Sequence, residues 1–103
     1  MGPHAGFDPR RARWLLGKRV IVGLTYVASD GSTERQSQFC GVVVGADASV
    51  ISLERAEGTR FTLPPATGAF RYARRGEYRL RATGEVIVDP DATASWVVEA
   101  PSR

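Results

Sequence analysis

At 103 residues the chain has room for one hydrophobic core and not for two. Its 43% hydrophobic and 24% charged residues are those of a folded globular domain, which sets disorder aside. A net charge of +3 is too mild to demand a polyanionic partner, and no apolar run approaches the length of a membrane-crossing helix.

Residues 1–7 hold Gly, Pro and His without periodicity and read as a disordered tail ahead of a single domain over residues 8–100. The tail lacks a basic head followed by an apolar stretch, so no secretory leader is expected and the expected location is the cytoplasm. Asp8 then reads as a helix N-cap, with Pro9 at the favoured first position. Trp14, Leu15 and Ala12 give this short helix an apolar side, and Gly17 ends it. From Arg19 the period changes to two: Val20, Val22, Leu24 and Tyr26 alternate with Ile21, Gly23, Thr25 and Val27, and the even set is the expected core face.

Ser29-Asp30-Gly31-Ser32 is a turn sequence. A long strand is expected from Thr33 to Gly45, polar in its outer half and apolar on both faces from Phe39 to Val44. Gly41 and Gly45 would let it bend. After the Asp47-Ala48-Ser49 turn comes a strand over Val50–Glu54, with Ile51 and Leu53 inward. Glu57-Gly58 turns the chain into Thr59–Leu63, where Phe61 and Leu63 face in, and Pro64-Pro65 stops it. Residues 66–77 read as a connection anchored by Phe70 and Tyr72. Tyr78–Thr83 and Val86–Val88 read as a hairpin about Thr83-Gly84-Glu85, with Leu80 in the core. Asp89-Pro90-Asp91 breaks the chain again, and Ser95–Glu99 closes the domain through Trp96 and Val98.

Short strands with turns every eight to twelve residues indicate a mainly β fold. The bent second strand favours a small closed barrel of five to seven strands, because bending lets one sheet meet itself and lose its edges. The expected core is Val20, Val22, Leu24, Phe39, Val43, Ile51, Leu53, Phe61, Leu63, Leu80, Trp96 and Val98.

Most catalytic chemistry is excluded residue by residue; a carboxylate-only hydrolysis by Asp47 with Glu54 or Glu57 is the one arrangement the sequence leaves open, with nothing in it that would raise their pKa. His4 is the only histidine and Cys40 the only cysteine, so neither a nucleophilic triad nor a structural zinc site can be assembled. Gly41-x-x-x-Gly45 lacks the Lys-Ser/Thr of a phosphate loop. Asp89 and Asp91 sit in a turn, with no further ligands at calcium-loop spacing. The chain is therefore expected not to be an enzyme and to need no metal or small-molecule cofactor.

The span from Leu15 to Leu53 resembles the first motif of Sm-like proteins. It carries Leu15-Leu16-Gly17-Lys18-Arg19-Val20-Ile21-Val22-Gly23-Leu24, then Gly41-Val42-Val43-Val44-Gly45-Ala46-Asp47, behind a short helix. Arg75-Gly76 stands for the Arg-Gly of that family's second motif. The resemblance implies a small Src-homology-like barrel, assembly into rings, and binding of uridine-rich RNA through the acidic turn at Asp47 and the loop at Arg75-Gly76. The asparagine that follows the acidic turn in the family has no equivalent, since the chain contains none.

Two functional readings follow. The first is a module that binds another protein or a second copy of itself, motivated by a compact β fold with surface aromatics. The alternative is binding of single-stranded RNA or other nucleic acid. Here Arg10, Arg11 and Arg13 in one basic stretch, and Arg74 and Arg75 between Tyr72 and Tyr78 in another, would hold phosphates and stack bases. Asp47 joins these contacts through the family resemblance alone. No membrane partner is expected.

Overall fold

A computed structural model describes residues 6–99. Helix α1 spans Pro9–Leu15 and begins as the sequence dictates: the Asp8 carboxylate accepts a hydrogen bond from the Arg10 amide, and Pro9 occupies the first turn. Ala12 and Leu15, three residues apart, are its buried side. Gly17 then takes φ +79°, a left-handed conformation that suits glycine, and its amide donates to the Val43 carbonyl. The helix is thereby seated on the sheet, which a helix of seven residues needs in order to persist.

The strands are β1 (Arg19–Val27), β2 (Thr33–Ala46), β3 (Ile51–Glu54), β4 (Arg60–Leu63), β5 (Phe70–Tyr72), β6 (Glu77–Arg79), β7 (Val86–Val88) and β8 (Ala92–Glu99). Six of them form one sheet in the order β4-β3-β2-β1-β8-β5, while β6 and β7 form a separate hairpin. β1 and β2 pair antiparallel from Arg19↔Val42 to Val27↔Thr33 about the expected turn, where Gly31 has φ +89°. β2 and β3 pair from Val42↔Glu54 to Ala46↔Ile51, with a bulge between Val43 and Gly45. So β2 serves two partners with its two halves, and the bulge falls where the partner changes. Gly41 lies at that change. A Cβ there would stand 3.2 Å from the Glu54 carbonyl oxygen and 3.4 Å from Leu53 Cβ, so the glycine lets β3 approach closely.

The even residues of β1 do face the main core. Val20, Val22 and Leu24 are buried with Phe39 and Val43 of β2, Ile51 and Leu53 of β3, Leu63 of β4, Phe70 of β5, Ala92 and Ala94 of β8, and Leu15 of α1. A single cluster drawing on all six strands and the helix means that the sheet is rolled around one face.

Several expectations are corrected. Among the described residues there are eight strands where five to seven were expected, and no closed barrel is found: β4 and β5 end the sheet. The connection over 66–77 contains a 3-10 turn at Thr67–Ala69 and the strand β5. β8 begins at Ala92 and runs parallel to β1, from Val20↔Ala92 to Val27↔Glu99. The strand expected over Tyr78–Thr83 stops at Arg79. Leu80 is buried, but in a second cluster with Ile21 and Ile87. Ile21 alternates with the main-core residues of β1, so this cluster lies on the opposite face of the sheet, beneath the β6–β7 hairpin. Phe61, Trp96 and Val98 pack against the main core but are only half-buried. Of the expected tail, residues 1–5 lie outside the described residues. Gly6 is tied down, its carbonyl accepting from the Thr67 hydroxyl at 2.6 Å while that hydroxyl oxygen accepts from the Asp8 amide at 2.8 Å.

Because its neighbours at Gly41 are backbone and a core side chain, Gly41→Ala is expected to lower the unfolding free energy by about 1–3 kcal/mol, as for other overpacked sites. Urea denaturation followed by circular dichroism measures this. Gly45→Ala, whose added Cβ would lie 3.8 Å from Ser52, is the matched control and should change little.

Candidate functional site

Three places on the surface hold features that the core does not require: a cleft along the seam of the rolled sheet, the face shared by α1 and β5, and the hairpin over the second cluster.

The seam is built by topology. β4 pairs with β3 on one side only. β8 pairs with β1 along its whole length, but β5 covers its other side only at Ala92, Thr93 and Ala94. Among the described residues, Ser95–Glu99 therefore present an unpaired edge, and so does Arg60–Leu63. These edges are far apart in the sheet order, yet Phe61, Thr62, Leu63 and Pro64 line one cleft with Trp96, Val97, Val98 and Glu99. The cleft has a volume of about 440 Å³, and Leu24 and Tyr26 of β1 also line it. The half-burial of Phe61, Trp96, Val98 and Tyr26 has one cause: all four border the gap where no strand closes the roll. Val97, on the opposite face of β8, is 67% exposed.

On the second face, the Arg11 guanidinium donates to the Phe70 carbonyl and lies 5.3 Å from the centre of the Tyr72 ring. Trp14 meets Tyr72 edge-on, with ring centroids 4.8 Å apart and planes at 83°. The Lys18 ammonium lies 5.3 Å from the Trp14 ring. A shallow pocket beside them is lined by Arg11, Gly68, Phe70, Arg71 and Tyr72.

Of the residues expected to contact a partner, Arg11 and Tyr72 are therefore brought together. Arg10 and Arg13 are exposed on α1, while Arg74 and Arg75 are exposed in the segment after β5. Tyr78 is not a free stacking ring: it packs against the second cluster, and its hydroxyl donates to the Arg74 carbonyl. Asp47 spends one carboxylate oxygen on its own turn, accepting from the amides of Ser49 and Val50 at 2.8 and 3.0 Å. Lys18 and Arg71 were not among the expected contacts. Their signal lay in the sequence as two basic stretches, but nothing in the sequence said that residues 11–18 and 71–72 are neighbours.

The hairpin is held at both ends. The Asp91 carboxylate accepts from the Arg19 amide, and the Arg19 guanidinium donates to the carbonyls of Val88 and Asp89. Asp89, with φ +50°, accepts from the Gly76 amide through its carboxylate. At the other end the Gln38 side-chain oxygen accepts from the Arg81 and Ala82 amides. Beneath, Cys40 packs against Ile21, Leu80 and Ile87. Burial pushes its thiol above the ordinary range, Arg19 opposes this and Glu85 adds to it. A thiol so raised is protonated at neutral pH and a poor nucleophile.

Among the described residues, no cluster of three or more His, Cys, Asp or Glu side chains could hold a metal ion. Among the same residues, no helix is long and apolar enough to cross a membrane. No family model, curated protein or solved structure matches this chain.

Two consequences concern Cys40. Its labelling by a disulfide reagent at neutral pH should be slower than that of the unfolded chain, and should rise as pH climbs through the raised thiol pKa. Leu80→Ala, which uncovers the thiol and removes about 2–5 kcal/mol of buried contact, should speed labelling, while the near-ultraviolet signal of Trp96, packed against the main core, persists.

Proposed function

We propose that this chain is a non-enzymatic contact module of the cytoplasm that joins another protein chain, in the first instance a second copy of itself, by strand addition along the β4–β8 seam. The observation that carries this reading is the pair of unpaired strand edges facing one apolar cleft. Unpaired edges are templates for another strand, which gains main-chain hydrogen bonds from both sides. The cleft adds apolar area from Phe61, Leu63, Trp96 and Val98 to the same contact. The two edges differ in sequence, so one copy offering a strand edge to the seam of the next makes a head-to-tail contact, which closes into a ring or extends. The closed Sm-like barrel expected from the Leu15–Leu53 resemblance would on this reading be completed between chains. The seating of Cys40 under the hairpin, where burial raises its thiol pKa and leaves it a poor nucleophile, supports contact over turnover.

Multi-angle light scattering over a concentration series tests the reading. The wild-type mass is expected to exceed 11.2 kDa and to grow with concentration. Thr62→Lys combined with Val97→Lys, both at exposed positions on the two edges, is expected to return the protein to the monomer with its circular dichroism unchanged. A wild-type protein that stays monomeric at every concentration sinks the proposal of self-association.

A further inference from the structure

The face shared by α1 and β5 has properties that packing does not account for. Tyr72 is 65% exposed, so its ring stabilises the core little. Yet it is held on two sides, edge-on by Trp14 and from above by Arg11, which is itself fixed to the Phe70 carbonyl. Lys18 extends the run from the far side of Trp14. The result is a pair of rings flanked by two cations, Lys18–Trp14–Tyr72–Arg11, with Arg10 and Arg13 exposed on α1 and Arg71 exposed at the neighbouring position of β5, where it lines the shallow pocket with Arg11 and Tyr72.

The charge of this face is one-sided. The only carboxylate on α1, its cap or β5 is Asp8, which is engaged in capping the helix. The ion pairs found among the described residues are Arg55–Glu57 and Arg60–Glu54, at the other end of the sheet order. Arginines that meet no carboxylate and flank a pre-oriented, exposed ring have the chemistry of a site for a ligand that is anionic and flat at once. A phosphodiester chain with unpaired bases has both properties, with one phosphate and one π-face per unit. A duplex hides its base faces, and an acidic peptide offers none.

We propose that the α1–β5 face binds single-stranded nucleic acid, with Tyr72 stacking a base and Arg10, Arg13, Arg71 and Lys18 holding phosphates. The proposed site uses neither Asp47 nor Arg75, and it is independent of assembly through the seam. Arg11 acts as a positioning residue: its guanidinium is committed to the Phe70 carbonyl and keeps the Tyr72 ring oriented.

Fluorescence anisotropy with labelled oligouridylate and oligoadenylate twelve-mers tests this, using the full chain. Binding is expected to weaken linearly on a log–log plot as salt rises. Tyr72→Ala should weaken it about tenfold, the loss of one stacked base, and Tyr72→Phe should restore it. Arg71→Ala should reduce the salt slope by about 1, whereas Arg74→Ala with Arg75→Ala should leave affinity within about twofold. In a Trp96→Phe background, titration with the oligomer should change Trp14 emission. The monomeric Thr62→Lys/Val97→Lys protein should bind as the wild type does, so failure of the seam and failure of this site are read separately. Flat anisotropy at low salt, undiminished binding by Tyr72→Ala, or equal binding of a duplex of the same length each overturns the proposal. If Tyr72→Ala fails to fold, Arg71→Glu at its exposed position takes its place: loss of binding supports the site, and retained binding overturns it.

Discussion

Ten residues of β2, from Thr33 to Val42, lie against β1, and from Val42 onward the same strand lies against β3. The exchange of partner is possible because Gly41 leaves room for the Glu54 backbone and because a bulge near Val44 absorbs the change of register. Once β2 is divided in this way, the sheet must roll, and residues as distant as Leu15, Leu63 and Phe70 reach one core. The tilted contact between Phe39 and Phe61, 4.8 Å between centroids, is a direct product: β2 and β4 are not neighbours in the sheet, yet their rings touch.

Rolling without closing creates the seam. A closed roll would have buried Phe61, Trp96 and Val98 fully, and the open one leaves each half-buried along a cleft. The parallel pairing of β8 with β1 is what places the second edge there. It sends the end of the chain along the same direction as β1 and leaves Ser95–Glu99 uncovered beyond the three residues of β5. The same arrangement pins β5 beneath α1. The feature proposed for assembly and the feature proposed for nucleic acid therefore share β8 as their scaffold but have no residue in common.

Much of the fold was legible because the local signals agreed with one another. The Asp8-Pro9 helix start, the alternation of Val20, Val22 and Leu24, and the turns at Gly31 and Gly58 are set by interactions within a few residues, so periodicity and turn chemistry suffice to read them. β5 was hidden for the opposite reason. Three residues, of which only Phe70 is buried, carry no period, and their strand conformation comes from pairing with Ala92–Ala94. The start of β8 was hidden because Ala92, Thr93 and Ala94 are small. They are in a strand because β8 pairs with β1 on one side and with β5 on the other. Leu80 illustrates a third case: its burial was evident, but not which side of the sheet would bury it.

By itself the sequence determined that this is a mainly β chain with one short capped helix, and it marked Val20, Val22, Leu24, Phe39, Val43, Ile51, Leu53 and Leu63 as the main core. Those properties follow from solvent and backbone preferences that act over short separations. Only the tertiary structure decided that the roll stays open, that β8 runs parallel to β1, and that Arg11 and Trp14 stand against Tyr72. Such relations join residues some sixty positions apart through backbone pairing and core volume, and no periodicity along one strand encodes them.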